Sequence, residues 1–152
     1  MREVTSADLV RLAAPFAARI AEMGTLDPAA LESALAAMDS ANLEATTLAA
    51  AASGWLTPKV AGGVKFGRVS KADPALAGCS LDAVDMDGPA SGPHTHPYGE
   101  VEFCIPLAGE PRFDGRAERW IVYPPGSRHV PTVSGGRMLI LYFLPGGAIN
   151  LG

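Results

Sequence analysis

Cysteine is scarce: the 152-residue chain has two, Cys79 and Cys104, and they form no CxxC pair. That excludes a disulfide framework and a zinc ribbon, and both thiols read as small buried apolar residues. No run of lysine or arginine makes a stripe able to follow a phosphate backbone, and 12 basic residues against 16 acidic ones leave the chain mildly acidic. Nucleic acid is excluded as a partner on that ground. The opening stretch from Met1 to Arg19 carries Arg2, Glu3, Asp8 and Arg11, so it lacks the uninterrupted apolar core of a signal peptide or a membrane span. The expectation is a cytoplasmic protein with no membrane partner. Internal repeats and low-complexity linkers are also missing. The length suits one domain with a helical extension, and therefore one active site.

What is present divides near Gly54. Residues 1–54 are rich in Ala, Leu, Glu and Met, which favour helix, whereas residues 55–152 are rich in Val, Gly, Pro and aromatics. In the first part Ser6 is placed to cap a helix in which Leu9, Leu12, Ala13, Phe16 and Ile20 recur at three- and four-residue spacing up to Gly24, with Pro15 inside it. Asp27-Pro28 marks a second start, with Leu31, Leu35 and Met38 on one face, and a third helical run extends from about Asn42 to Ala52. Such amphipathic helices pack on a neighbouring sheet or a second subunit, and a homodimer is the expected use. After Trp55, turn signals such as Gly62-Gly63, Asp73-Pro74, Asp114-Gly115 and Pro124-Pro125-Gly126 cut the chain into strand-sized pieces. Val64 to Ser70, Ser80 to Met86, Glu100 to Leu107, Arg119 to Tyr123 and Arg137 to Leu144 are the expected strands. Turns this close together favour an antiparallel barrel or sandwich over alternating βαβ units.

All three histidines lie between His94 and His129, two of them in the triplet His94-Thr95-His96. Residues two apart on a strand share a face, so His94 and His96 can present two ring nitrogens to one ion. Glu100 follows at an even offset and joins that face if Pro97-Tyr98-Gly99 makes only a small kink. Two nitrogens and a carboxylate suit Zn, Fe, Mn, Co or Ni. The competing reading of the triplet is a solvated surface turn between Pro93 and Pro97. Glu102 and Cys104 continue the even face while Val101, Phe103 and Ile105 form an apolar odd one. Glu102 is then either an acid or base beside the metal or a residue exposed or paired across strands, and Cys104 reads as structural. Tyr98 either borders the site or packs. Arg128, Arg112, Arg116, Arg119, Lys65 and Arg68 are cations that a carboxylated substrate could meet. Among Trp55, Phe66, Trp120, Tyr123, Tyr142 and Phe143, core packing is the default and a ring-shaped ligand the alternative.

Gly88, five residues, His94-x-His96, three residues and Glu100, followed later by Pro124-x-Gly126 and His129, resemble the two motifs of the cupin superfamily. The resemblance implies a small single cupin, a mainly β antiparallel barrel or jelly roll preceded by the helical segment. It also implies that His129 joins His94, His96 and Glu100 as a metal ligand, leaving positions open for water or substrate. The glycine that follows the glutamate comes late, at Gly109, and Val133 stands where an asparagine often closes the second motif.

More narrowly, Val60 to Arg68, His94-Thr-His-Pro-Tyr-Gly-Glu100, Pro111 to Gly115, Tyr123-Pro-Pro-Gly-Ser-Arg-His129 and Leu141 to Gly147 are similar to the 4-hydroxylaminobenzoate lyase family. That likeness implies conversion of 4-hydroxylaminobenzoate to 3,4-dihydroxybenzoate with release of ammonia, a step in bacterial nitroaromatic breakdown. The partner would be a small aromatic carboxylate, with Glu102 moving protons and Arg128 or another arginine holding the ring carboxylate. Two other uses of such a site stay open: an Fe(II)-dependent cupin dioxygenase, and a non-catalytic metabolite-binding cupin.

Overall fold

The first helix is set by a reciprocal cap. Thr5, in extended geometry, accepts from the Asp8 backbone N–H at 3.3 Å, while the Asp8 carboxylate accepts from the Thr5 N–H at 2.8 Å. The cap is therefore Thr5 rather than Ser6, because only Thr5 has an acidic residue three positions on to return the bond. The computed structural model describes residues 3–90 and 92–151, and its helices are α1 (Ser6–Met23), α2 (Pro28–Ala36) and α3 (Ala41–Ala52). Gly24, at φ +71°, ends α1. Asp27 caps α2, its side chain accepting from Ala30 N at 3.2 Å, with Pro28 in the first turn. Among the described residues, no helix is long and apolar enough to cross a membrane.

Nine strands follow: β1 (Lys59–Ala61), β2 (Val64–Ser70), β3 (Cys79–Met86), β4 (His94–His96), β5 (Glu100–Phe113), β6 (Trp120–Tyr123), β7 (Ser127–His129), β8 (Val133–Pro145) and β9 (Asn150–Leu151). They form one six-stranded sheet in the order β1-β2-β3-β8-β5-β6 and a three-stranded sheet in the order β7-β4-β9, with every named pair antiparallel. β5 runs past Leu107 and β8 begins before Arg137, since the two continue as a long hairpin beyond register shifts at Pro106/Ala108 and Gly109/Arg112.

The alternation along β5 gives the large sheet two different faces. Val101, Phe103 and Ile105, with Leu139, Leu141 and Phe143 of β8, share a core with Leu9, Phe16 and Ile20 of α1, Leu31 and Leu35 of α2 and Leu43 of α3. Trp120 is central there, its ring 5.0 Å from Phe16, 4.6 Å from Phe103 and 5.9 Å from Phe143. Helices and sheet share that core, so neither part can be withdrawn without exposing the other. On the opposite face Cys104, Ile121, Ile140, Tyr142 and Leu144 form a second core that opens toward the small sheet. The candidate site lies on this inner side.

Candidate metal centre

His96 ends β4 and Glu100 begins β5, so the turn between them decides whether both side chains reach one point. Gly99 N–H donates back to His96 O at 3.1 Å, and Gly126 N–H donates to the same oxygen at 2.8 Å. Gly99 has φ +88°, and a Cβ there would lie 2.3 Å from Thr25 Oγ1 and 2.7 Å from Tyr123 O. Only glycine fits. Thr25, in the link between α1 and α2, donates its hydroxyl to Tyr98 O at 3.0 Å. The helical segment thus holds the turn from outside the barrel. From the other side, β7 pairs with β4 so that His94 faces His129 and His96 faces Ser127.

Three side chains converge. His96 Nε2 and His129 Nε2 are 2.9 Å apart, and Glu100 Oε2 lies 3.2 Å from the first and 3.4 Å from the second. Donors about 2.1 Å from a common ion stand roughly 3.0 Å apart at adjacent octahedral positions and roughly 3.4 Å apart in a tetrahedron. The observed edges match that range. His96 and Glu100 are completely buried, and neither carboxylate oxygen of Glu100 receives a hydrogen bond. A buried carboxylate without a donor is costly, and a cation at the convergence point removes that cost. The donor set therefore fits a divalent transition metal, and these three residues form a possible metal site.

His94 is on the wall beside this group rather than in it. Its ring centroid is 6.3 Å from that of His96, and it lines the adjoining cavity together with Glu100. Burial holds both His94 and His96 below the ordinary imidazole range, with His129 adding to the depression and Glu100 opposing it. The neutral form is thereby favoured for both, and the neutral form is the one in which His96 can bind a metal. For His129 burial also works downward, but the hydrogen bond with Asp114 and the proximity of the Glu100 carboxylate outweigh it and raise its pKa to about 9. The carboxylates that favour a proton on His129 equally favour a metal cation.

Asp114 carries no mark of this role in the sequence beyond its Asp-Gly turn signal. Its Oδ2 is 2.7 Å from His129 Nδ1 and also accepts from the Tyr123 hydroxyl, while Oδ1 accepts from Thr132 N–H at 3.0 Å. Burial raises its pKa, yet the bonds from His129 and Tyr123 bring it below the usual carboxylate range. An ionised Asp114 on Nδ1–H fixes the tautomer that aims the Nε2 lone pair at Glu100 and His96. Tyr123 also stacks on the His129 ring at 4.3 Å.

Glu102 is fully buried, which rules out the exposed reading, and its cross-strand neighbours are Tyr142 and Ile121 rather than a cation. As an ionised group it has no donor. Burial first, and then the Glu100 charge, push its pKa well above the ordinary carboxylate range, which favours its protonated form. Arg128 departs from expectation. It is exposed and sits one residue from His129 on β7, where alternation turns it to the opposite face. Arg112, Arg116 and Arg119 are also engaged elsewhere, with Gly115 O, Glu32 and Glu44 respectively. Tyr98 is 61% exposed and Lys65 also faces solvent. Cys104 is structural, its thiol pushed up to about 12 chiefly by burial.

A cavity of about 510 Å³ adjoins the triad, lined by Phe66, Val84, Met86, Tyr142 and Leu144 together with His94 and Glu100. Its size is typical of a small-molecule site. An antiparallel double sheet that gathers His96, Glu100 and His129 from two motif segments beside such a cavity defines a cupin. Residues 21–151 match the family described as PnbB, 4-hydroxylaminobenzoate lyase, and the chain belongs to that family. It is similar to the 4-hydroxylaminobenzoate lyase of Nocardioides sp. (strain LMS-CY), 35% identical over 108 residues, which are 64% of this chain and 63% of that one. With the enzyme of the same name from Pseudomonas putida it shares 40% identity over 63 residues, 38% of this chain and 35% of the relative. The chain thus spans less than two thirds of the length of either curated relative. Among solved structures, an oxalate oxidase bound to the substrate analogue glycolate matches 61% of this chain and 57% of its own at 19% identity and a TM-score of 0.43. An RmlC-like cupin from Ralstonia eutropha JMP134 matches 57% and 58% at 18% identity and a TM-score of 0.40. At that distance nothing about the chemistry of this chain follows from either structure.

Proposed function

We propose that this chain converts 4-hydroxylaminobenzoate and one water into 3,4-dihydroxybenzoate and ammonia, with one divalent Zn, Fe, Mn, Co or Ni ion held by His96, Glu100 and His129. The observation that carries the reading is the convergence of those three donors beside a largely apolar cavity that Glu100 lines and that has room for a single aromatic ring. Family membership supports the choice of substrate. The reaction balances without an outside oxidant. The N–O, C4–N and C3–H bonds break, C–O bonds form at C3 and C4, and the electron pair of the C3–H bond reduces the hydroxylamino nitrogen, which leaves as ammonia with the released protons. A metal in this donor set supplies Lewis-acid polarisation of an oxygen, either the hydroxylamino oxygen or that of water.

The residues of the chain do the rest. Phe66, Val84, Met86 and Leu144 hold the ring and keep bulk water from its face. Glu102, buried behind Glu100, stores a proton next to the reacting end and returns it as the nitrogen leaves. His94, on the cavity wall beside the triad, is placed to hydrogen-bond the hydroxylamino group.

The test is anaerobic and aerobic incubation of metal-analysed protein with 4-hydroxylaminobenzoate, following ammonia and 3,4-dihydroxybenzoate. Formation of both without oxygen, lost in His96→Ala, is the expected result. Full turnover by Glu102→Gln would remove Glu102 from the mechanism. One observation favours a second reading: two histidines and one carboxylate are the donor set of non-haem Fe(II) oxygenases. Turnover of a catechol only with iron and oxygen would replace the lyase assignment.

A further inference from the structure

We propose that Lys59 and Arg68 form a carboxylate-binding end of the cavity, opposite the metal triad, and so select aromatic acids whose reacting substituent lies across the ring from the acid group. The inference rests on the reading of the triad as the reacting end. Sheet register brings both cations to the cavity. Lys59 on β1 is paired with Phe66 on β2, and Arg68 is paired with Asp82, which is in turn paired with Tyr142. Directly opposed residues share a face. All five of these residues line the cavity. β2 lies three strand spacings from β5, where Glu100 sits, roughly 14 Å along the sheet.

The charges at the two ends differ in kind. Asp82 is already satisfied: Arg68 Nε lies 2.7 Å from Oδ1 and Nη2 lies 3.5 Å from Oδ2, and Ser80 donates to Oδ2 at 2.9 Å. Lys59 has no ion-pair partner among the described residues. That end therefore carries one net positive charge beside apolar walls, and the other end is built to hold a metal cation. A planar apolar ligand with an anionic group at one end and a metal-seeking group at the other matches both. Arg128, on the outer face, cannot serve this purpose.

Binding of 4-aminobenzoate and of 4-aminobenzamide to the metal-loaded protein, measured by calorimetry, tests this without turnover. Wild-type protein is expected to prefer the acid by about tenfold or more, the size of a charge-assisted hydrogen bond. Lys59→Met should lose that preference while binding the amide as before, and Lys59→Arg should restore it. Arg68→Met should weaken the acid selectively, and Asp82→Asn, which frees the Arg68 charge, should tighten it. Equal binding of acid and amide by wild-type protein, or an unchanged preference in Lys59→Met, overturns the inference. If the preference holds as expected but 4-hydroxylaminobenzoate gives no product, the lyase reading alone falls. Product formation with unchanged kcat/KM in Lys59→Met leaves the lyase and removes Lys59 from its specificity.

Discussion

Replacing Asp114 by Asn isolates the part that the outer hydrogen bonds play in metal affinity. The position has φ +49°, which Asn tolerates far better than Ala, so the backbone is left undisturbed. What changes is the acceptor. In the wild type one carboxylate takes hydrogen bonds from His129 Nδ1 at 2.7 Å, from the Tyr123 hydroxyl and from Thr132 N–H at 3.0 Å. In the variant one oxygen remains, and an amide N–H₂ confronts a donor. If that oxygen stays with Thr132, His129 loses both its charge partner and the bond that fixes its tautomer. Losses of this kind typically lower metal affinity by about 10- to 100-fold, or about 1.4–2.7 kcal/mol. The lost bonds also cost about 1–3 kcal/mol of folding stability, a fall of roughly 2–12 °C in melting midpoint for a chain of this size. Affinity should be measured by competition with a chromophoric chelator for Co²⁺, well below the midpoint, with Tyr123→Phe as a milder control. Wild-type Co²⁺ affinity in a folded Asp114→Asn protein would show that His129 is not oriented in this way, or is not a ligand.

Three further outcomes follow from the same geometry. His96→Ala should lose stoichiometric metal, whereas His94→Ala should retain it and alter only ligand binding; loss of metal from both variants on elemental analysis would bring His94 into the coordination set. Gly99→Ala places a methyl 2.7 Å from Tyr123 O and 2.3 Å from Thr25 Oγ1 at φ +88°, so backbone strain alone should cost about 1–3 kcal/mol, and a wild-type melting midpoint would contradict the clamped turn. Burial raises the thiol pKa of Cys79 to about 11 and of Cys104 to about 12, so neither should react with an aromatic disulfide reagent at pH 8 until the protein is unfolded; prompt reaction of one thiol in native protein would mean that the core around it is more open than this packing.

The period of two along a strand makes much of this molecule legible in the sequence, and it stops where side-chain reach and the choice of neighbouring strands decide. It separated Glu100, Glu102 and Cys104 from Val101, Phe103 and Ile105: the latter three lie in the core shared with the helices, Cys104 lies in the other, and both glutamates are buried. The same parity applies to Arg128: one residue from His129, it had to face away, and its exposure follows from the rule that placed the histidines. Parity says which face a residue takes but not how far along that face its side chain reaches. His94 and His96 therefore share a side, yet only His96 joins Glu100 and His129. Asp114 lay beyond local reasoning, because Asp-Gly signals a turn in any hairpin. Its contact with His129 exists only after β7 and β8 carry His129 and Thr132 back past the end of β5. β1, only three residues long, gave too short a pattern to identify as a strand, and with it went the pairing that brings Lys59 beside Phe66. The candidate ligands were thus legible because metal chemistry limits such residues to a few types at fixed spacing. The groups that surround those candidates and line the cavity depend on which strands become neighbours, and that is decided by the packing of the whole sheet.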